Sequence, residues 1–157
     1  MQKVFAALSN ETSKCKNSSK ATRQSAWTFS IVLSERCITF RLAMYLQNTF
    51  PECSVDAGYN RKGASPKTLR LPEQCANYRN NDGDPFVVPD IIAHQRGAEG
   101  PNVLVLELKK TTNRSPWDCD RERIREFREQ LNYGSAALIE CETRRGHATA
   151  ATIAAWL

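Results

Sequence analysis

Two short apolar runs separated by a turn constrain the fold of this chain more than any other feature. Residues 85–95 are rich in β-branched residues, and residues 102–109 contain the apolar run Val-Leu-Val-Leu. The six residues around 96–101 include two glycines and a proline, which is typical of a turn. We therefore predict two adjacent strands. The second run shows no polar alternation before its end, which favours a strand covered on both faces.

Charged side chains lie within the first predicted strand and at the end of the second. Asp90 follows Pro89, whereas Glu107 and Lys109 lie two residues apart and so share a face, roughly 6.6 Å from each other. Asp90 can face them from the neighbouring strand. Two hard oxygen donors suit Mg²⁺, which keeps several waters and needs few protein ligands. A lysine beside that ion can position or deprotonate a water.

Each of these motifs has an ordinary structural interpretation when it occurs alone. A single Glu-x-Lys in a strand is usually a solvated face or a cross-strand ion pair, and a single Pro-Asp is usually a turn. Their combination on adjacent strands, at the end of a covered apolar run, favours a catalytic interpretation. Charges in such a position are costly unless they are paired, ligated or functional.

The remaining sequence predicts alternating helices and strands. The pattern indicates a mixed sheet with a helix on each face, in the order α-β-β-β-α-β. The predicted elements are a helix over 27–50, a strand over 53–61, a basic loop over 62–84 with a short helix around 73–79, a helix over 121–132, a strand over 134–141 and a last strand within 148–157.

The Pro-Asp and Glu-x-Lys motifs resemble those of the PD-(D/E)xK nuclease superfamily. The order of elements over about residues 30–142 is similar as well. Position 58, where one branch of that superfamily would usually have an acid, is Gly58. The resemblance implies a restriction-endonuclease-like fold and metal-dependent hydrolysis of phosphodiester bonds in nucleic acid, with DNA favoured over RNA.

The resemblance also implies roles for individual residues. Asp90, Glu107 and the backbone carbonyl of Leu108 would hold Mg²⁺, for which Mn²⁺ could substitute. Lys109 would orient or activate the attacking water. Glu35, on the leading helix, would hold a metal-bound water or a second ion, although it also fits a solvated helix position.

The basic loop suggests contacts with the nucleic acid backbone. Phosphates beside the cleavage site would be bound by Arg61, Lys62 and Lys67. The alternative is that these residues belong to a solvated loop without contact to nucleic acid. Two other functions remain open: a nuclease-like module that binds nucleic acid or a partner protein without cutting, and a toxin or defence effector that cleaves RNA. A homodimer or a larger complex is compatible with each.

Composition bounds these interpretations. The 157 residues carry a formal net charge of +5 and fit one domain over 27–157, preceded by a flexible basic arm over 1–26; an organelle transit peptide is the alternative for that arm. The six cysteines have no Cys-x-x-Cys spacing, which argues against structural zinc and predicts reduced thiols in a cytoplasmic protein. No apolar stretch approaches the ~20 residues of a membrane span.

Overall fold

A mixed β-sheet with a helix on each face organises the chain. The computed structural model describes residues 34–76, 86–96, 100–144 and 150–157. The elements in chain order are α1 (Glu35–Thr49), β1 (Ser54–Ala57), β2 (Arg61–Lys62), β3 (Ser65–Pro66), a 3₁₀ turn (Glu73–Cys75), β4 (Ile91–His94), β5 (Asn102–Lys110), α2 (Asp118–Leu131), β6 (Tyr133–Glu142) and β7 (Ala150–Trp156).

The main sheet has the strand order β1-β4-β5-β6-β7. Strands β1, β4 and β5 form an antiparallel meander, and β7 runs antiparallel to β6. Strands β5 and β6 are parallel. A parallel pair needs a crossover connection, and α2 provides it. The β2–β3 hairpin forms a separate two-stranded sheet.

Alternation along β5 divides the core into two layers. Leu104, Leu106 and Leu108 pack with α1 on one face of the sheet, whereas Val105 packs with α2 on the other. Side chains two apart in a strand share a face. Glu107 and Lys109 therefore continue the α2 face at the end of the strand, where α2 begins.

The two α-helices of the described residues are stabilised by different contacts. The side chain of Ser34 caps α1 by accepting a hydrogen bond from the Cys37 amide at 3.2 Å. Helix α2 buries Ile124, Phe127 and Leu131 along one face. It is followed by the C-cap residue Asn132, whose backbone is left-handed with φ 54°. Tertiary burial of this apolar stripe supplies most of the stability of such a helix.

The predicted α/β class, a mixed sheet with helices, is confirmed in the described residues. The β2–β3 hairpin was not predicted, because the chain over 62–84 was expected to be a loop, and the strand predicted over 85–95 is shorter, since β4 covers only Ile91–His94. The predicted strand over 53–61 is too long, because β1 ends at Ala57 and Gly58 turns the chain with φ 65°. The predicted helix around 73–79 is a 3₁₀ turn over Glu73–Cys75 where the chain is described. The arm over 1–26, like the first residues of the helix predicted from 27, lies outside the described residues.

A disulfide contradicts the prediction that every cysteine is a reduced thiol. Cys75 of the 3₁₀ turn is bonded to Cys119 in the first turn of α2, with their Cα atoms 5.2 Å apart. Disulfides persist mainly in oxidising compartments, so the cysteines no longer argue for a cytoplasmic location. Within the described residues, no helix is long and apolar enough to cross a membrane.

Candidate functional site

Asp90 and Glu107 come together where β4 begins and β5 approaches its end. The antiparallel register pairs Ile91 with Leu106, which places Asp90 beside Glu107 on the neighbouring strand. One Asp90 oxygen, Oδ2, accepts a hydrogen bond from the Leu108 amide at 2.8 Å. The backbone of Leu108 is thus tied to the first carboxylate, while its side chain lies in the core on the α1 face.

Glu107 is the most perturbed acid of the site. Its side chain is buried, and its Oε1 has no hydrogen-bond partner among the described residues. Burial raises the pKa of Glu107 to about 8, with a further contribution from the charge of Asp90. Arg123, whose guanidinium lies 3.9 Å from Glu107 Oε2, opposes this rise. Glu107 therefore holds its proton near neutral pH when no further cation is present.

Asp90 is perturbed in the same direction. Burial raises its pKa, and the hydrogen bond from Leu108 opposes that effect. The charges of Glu35 and Asp120 raise the pKa further. Several carboxylates thus share one poorly solvated region, and each makes the ionised form of the others less favourable.

Glu35 reaches this region from the opposite face of the sheet. It is the first residue of α1, and its Oε2 accepts a hydrogen bond from the Lys110 amide at 3.3 Å. Burial and the charge of Asp90 are the larger causes of the raised pKa of Glu107, and the charge of Glu35 makes a smaller contribution in the same direction. The structure therefore brings Glu35 within electrostatic reach of both predicted metal ligands.

Lys109 is held by the segment that leads into α2. Its ammonium is paired with Asp120, donates to the Pro116 carbonyl at 3.1 Å and lies 5.1 Å from the centre of the Trp117 ring. Only 3% of this lysine is exposed. Its position is consequently fixed by α2, and Asp120 connects it to the pair Asp90 and Glu107.

Two members of the cluster were not predicted as site residues. Arg123 lies 2.5 Å from Asp120 Oδ1 and also faces Glu107. The helical spacing indicated their position. Asp120 lies three residues before Arg123, and Arg123 lies four residues before the buried Phe127, so all three share a face of α2. Polar residues on the buried face of a helix at its first turns indicate a polar site beneath it.

The carboxylates of the site are chemically suited to binding a hard divalent cation. The carboxylates of Asp90, Glu107 and Asp120 lie near the cations of Lys109 and Arg123, and Glu35 adds a fourth carboxylate from the α1 side. Glu107 has an oxygen without a partner among the described residues. In that part of the chain, however, no group of three or more His, Cys, Asp or Glu side chains is arranged to hold a metal ion. An Mg²⁺ site here would rely on two carboxylates, backbone oxygen and water.

Lys67 does not fit its predicted contact with nucleic acid. It is 3% exposed, and its ammonium donates to the Tyr59 carbonyl at 3.1 Å and lies 4.7 Å from the centre of the Tyr59 ring. Burial lowers the pKa of Lys67 to about 8. Arg61 and Lys62 are exposed on β2, and their contact with nucleic acid stays a prediction.

Gly58 lies next to the site through its backbone. Its amide donates to the Asp90 carbonyl at 3.0 Å, and its positive φ is a conformation that favours glycine over an acidic residue. The acid that β1 does carry, Asp56, is bound by His94 at 2.8 Å and Arg96 at 2.5 Å. The end of β1 thus contacts Asp90 through the Gly58 amide and adds no carboxylate to the cluster.

Comparison of the chain with protein-family models, with curated proteins and with solved structures gave no match.

Proposed function

We propose that the protein is a metal-dependent nuclease that hydrolyses phosphodiester bonds in nucleic acid, with DNA as its expected substrate. The observation that carries this proposal is the buried Glu107 beside the half-buried Asp90, with an oxygen of Glu107 that has no partner in the described part of the chain. Buried like charges are costly unless they are ligated or functional. A bound dication removes that cost.

Asp90 and Glu107 would hold Mg²⁺, or Mn²⁺ in its place, with the Leu108 carbonyl as a further donor. When bound, the ion would polarise the phosphodiester and lower the pKa of a coordinated water. Glu107 must lose its proton to act as a ligand, because ligands bind metals in their deprotonated form. Glu35 would add negative charge at the rim and orient water around the ion.

Lys109 would orient the attacking water and offset charge that develops on the phosphate. It is suited to this role because it is a buried cation, and electrostatic interactions are stronger in a poorly solvated site. Asp120, the Pro116 carbonyl and the Trp117 ring fix the ammonium. A group held in place in this way loses little entropy as the reaction proceeds.

The finer fold assignment, a restriction-endonuclease-like core, is part of the same proposal. It is supported by the order α1, β1, β4, β5, α2, β6, and by the position of both acids on the adjacent strands β4 and β5. The parallel pairing of β5 with β6 through α2 is a further point of agreement.

A module that binds nucleic acid without cutting is the second candidate. The observation that favours it is the ion pair between Lys109 and Asp120, because the proposed catalytic lysine is already bound to a carboxylate. Gly58 in place of an acid adds to this. In this alternative the acidic cluster is structural, and the exposed Arg61 and Lys62 would provide the contact with nucleic acid.

Incubation with four substrates tests the proposal: supercoiled plasmid, linear duplex DNA, single-stranded DNA and RNA, each with Mg²⁺, Mn²⁺ or EDTA. We expect DNA cleavage with either metal and none in EDTA. A Glu107→Gln protein purified in parallel controls for contaminating nucleases. Undiminished cleavage in EDTA would contradict a metal mechanism. Cleavage of RNA alone would support an RNA-cleaving effector, and tight binding without cleavage would support the binding module.

A further inference from the structure

A cavity of about 640 Å³ opens between the β2–β3 hairpin and the C-terminal end of α2. Lys62 and Ser65 line it on the hairpin side, Thr68 and Arg70 on the segment that follows, and Gln130 on α2. Its size lies within the range of about 300–1,000 Å³ that is usual for ligand sites. The cavity is separate from the acidic cluster, which lies at the other end of α2.

The lining has the chemistry of a phosphate site. Lys62 and Arg70 are exposed, and neither side chain forms an ion pair among the described residues. Among the described residues, no acidic side chain lines the cavity, while Ser65 and Thr68 add hydroxyl donors. Cations and hydroxyls of this kind make most protein contacts to nucleic acid backbones.

The wall that carries Arg70 is fixed to α2. The Gln130 side chain accepts from the Arg70 amide at 2.9 Å and donates to the Arg70 carbonyl at 3.1 Å. The neighbouring Leu69 is 1% exposed and anchors the segment in the core. The backbone at Arg70 is therefore ordered before any ligand binds, which lowers the entropic cost of binding.

The distance from the acidic cluster follows from the geometry of α2. Asp120 lies in the cluster and Gln130 lines the cavity. A rise of 1.5 Å per residue separates them by about 15 Å along the helix. Phosphates of one strand of duplex DNA are spaced about 3.4 Å apart along its axis, so 15 Å corresponds to about four base pairs of a duplex whose axis runs along α2.

We propose that this cavity binds the phosphate backbone of the substrate duplex about four base pairs from the bond that is cleaved, with Lys62 and Arg70 as the phosphate ligands. This inference rests on the proposed nuclease function and assigns to Arg70 a role in substrate binding. The cavity binds DNA of any sequence, because backbone contacts carry no direct sequence information.

Salt-dependent binding tests the inference. The full chain, in EDTA so that cleavage is excluded, is titrated with a fluorescent 20-base-pair duplex at several salt concentrations. We expect Lys62→Ala and Arg70→Ala each to reduce the log–log salt slope by about 0.9 and the double variant by about twice that. The matched control is Arg41→Ala, which removes an exposed arginine from α1 on the other face of the sheet and should leave the slope unchanged.

Cleavage kinetics provide the second readout. In Mg²⁺ the double variant should show a KM about tenfold higher and an unchanged kcat, because the cavity lies far from the reacting bond. A slope equal to that of wild type in the double variant, or a slope reduced equally by Arg41→Ala, would overturn the inference while leaving the proposed function intact. Failure of every protein, wild type included, to bind DNA would overturn both.

Discussion

Replacing Glu107 by glutamine should stabilise the metal-free protein at pH 8. The carboxyl group titrates at about 8 in the folded protein, against 4.5 for an ordinary glutamate. Between these values the unfolded chain has lost the proton that the folded protein still holds. The free energy of unfolding therefore falls as pH rises from 4.5 to 8 and levels off above the folded pKa.

The magnitude follows from the same two pKa values. Each unit of difference corresponds to about 1.4 kcal/mol, so the full shift of Glu107 destabilises the metal-free protein by about 5 kcal/mol at pH 8. Glutamine keeps the shape and has no charge to lose. The variant should therefore gain up to about 5 kcal/mol over wild type at pH 8, and the gain should shrink toward pH 5.

Urea unfolding in EDTA at half-unit steps between pH 5 and 8 measures this difference. Burial also raises the pKa of Asp90, but this carboxyl group is present in both proteins, so the comparison is made on the difference between the two curves. The pKa of Lys67 is lowered by burial to about 8, so that lysine stays protonated at lower pH; the pKa of Glu142, lowered to about 2 by hydrogen bonds from Arg144, lies below the window. Glu129→Gln, on the exposed side of α2, is the control. Parallel curves for wild type and Glu107→Gln would refute the reasoning.

Three further predictions concern the groups around the acid pair. Lys109→Ala should lower the single-turnover cleavage rate by about 10²–10⁴-fold and leave Mg²⁺ binding by calorimetry unchanged; a rate within twofold of wild type would remove Lys109 from the mechanism. Asp120→Asn should lower the free energy of unfolding by about 3 kcal/mol, because it leaves the buried Lys109 without its anion, and an unchanged urea midpoint would contradict this. Cys75→Ser should cost about 4 kcal/mol, because the disulfide spans 44 residues; the loss should match that of wild type in reductant, and equal stability with and without reductant would contradict it.

The elements that the sequence predicted well have strong local patterns. Strand β5 and helix α2 differ by only a few residues from their predicted bounds. The first is an uninterrupted apolar run, and the second has Ile124, Phe127 and Leu131 at helical spacing. The proximity of Asp90 and Glu107 followed from the hairpin, since antiparallel neighbours place residues of one face side by side.

The features that were missed depend on tertiary contacts. The alternation of Val55, Ala57 and Tyr59 predicted one strand, but the left-handed backbone at Gly58 ends it. A lysine in a basic loop is expected to be exposed. Lys67 is buried because its ammonium contacts the carbonyl and the ring of Tyr59. No local pattern marks such a contact.

The disulfide could not be predicted for a related reason, and the ion pair between Lys109 and Asp120 was signalled only by the position of Asp120 on the buried face of α2. Cys75 and Cys119 are 44 residues apart, and a pairing among six cysteines cannot be deduced from spacing alone. Asp120 contacts Lys109 only because α2 crosses the end of β5. Its role in the cluster became visible once the sheet and the helix were placed together.

Calorimetric titration with Mg²⁺ tests the central claim, that Asp90 and Glu107 hold a divalent ion, most directly. The titration is carried out at pH 7 in two buffers of different ionisation enthalpy. We expect saturable binding with release of about one proton, because Glu107, whose burial raises its pKa to about 8, must ionise to become a ligand. Asp90→Asn and Glu107→Gln should both abolish the binding. Equal Mg²⁺ binding by wild type and both variants, with no proton released, would contradict the account.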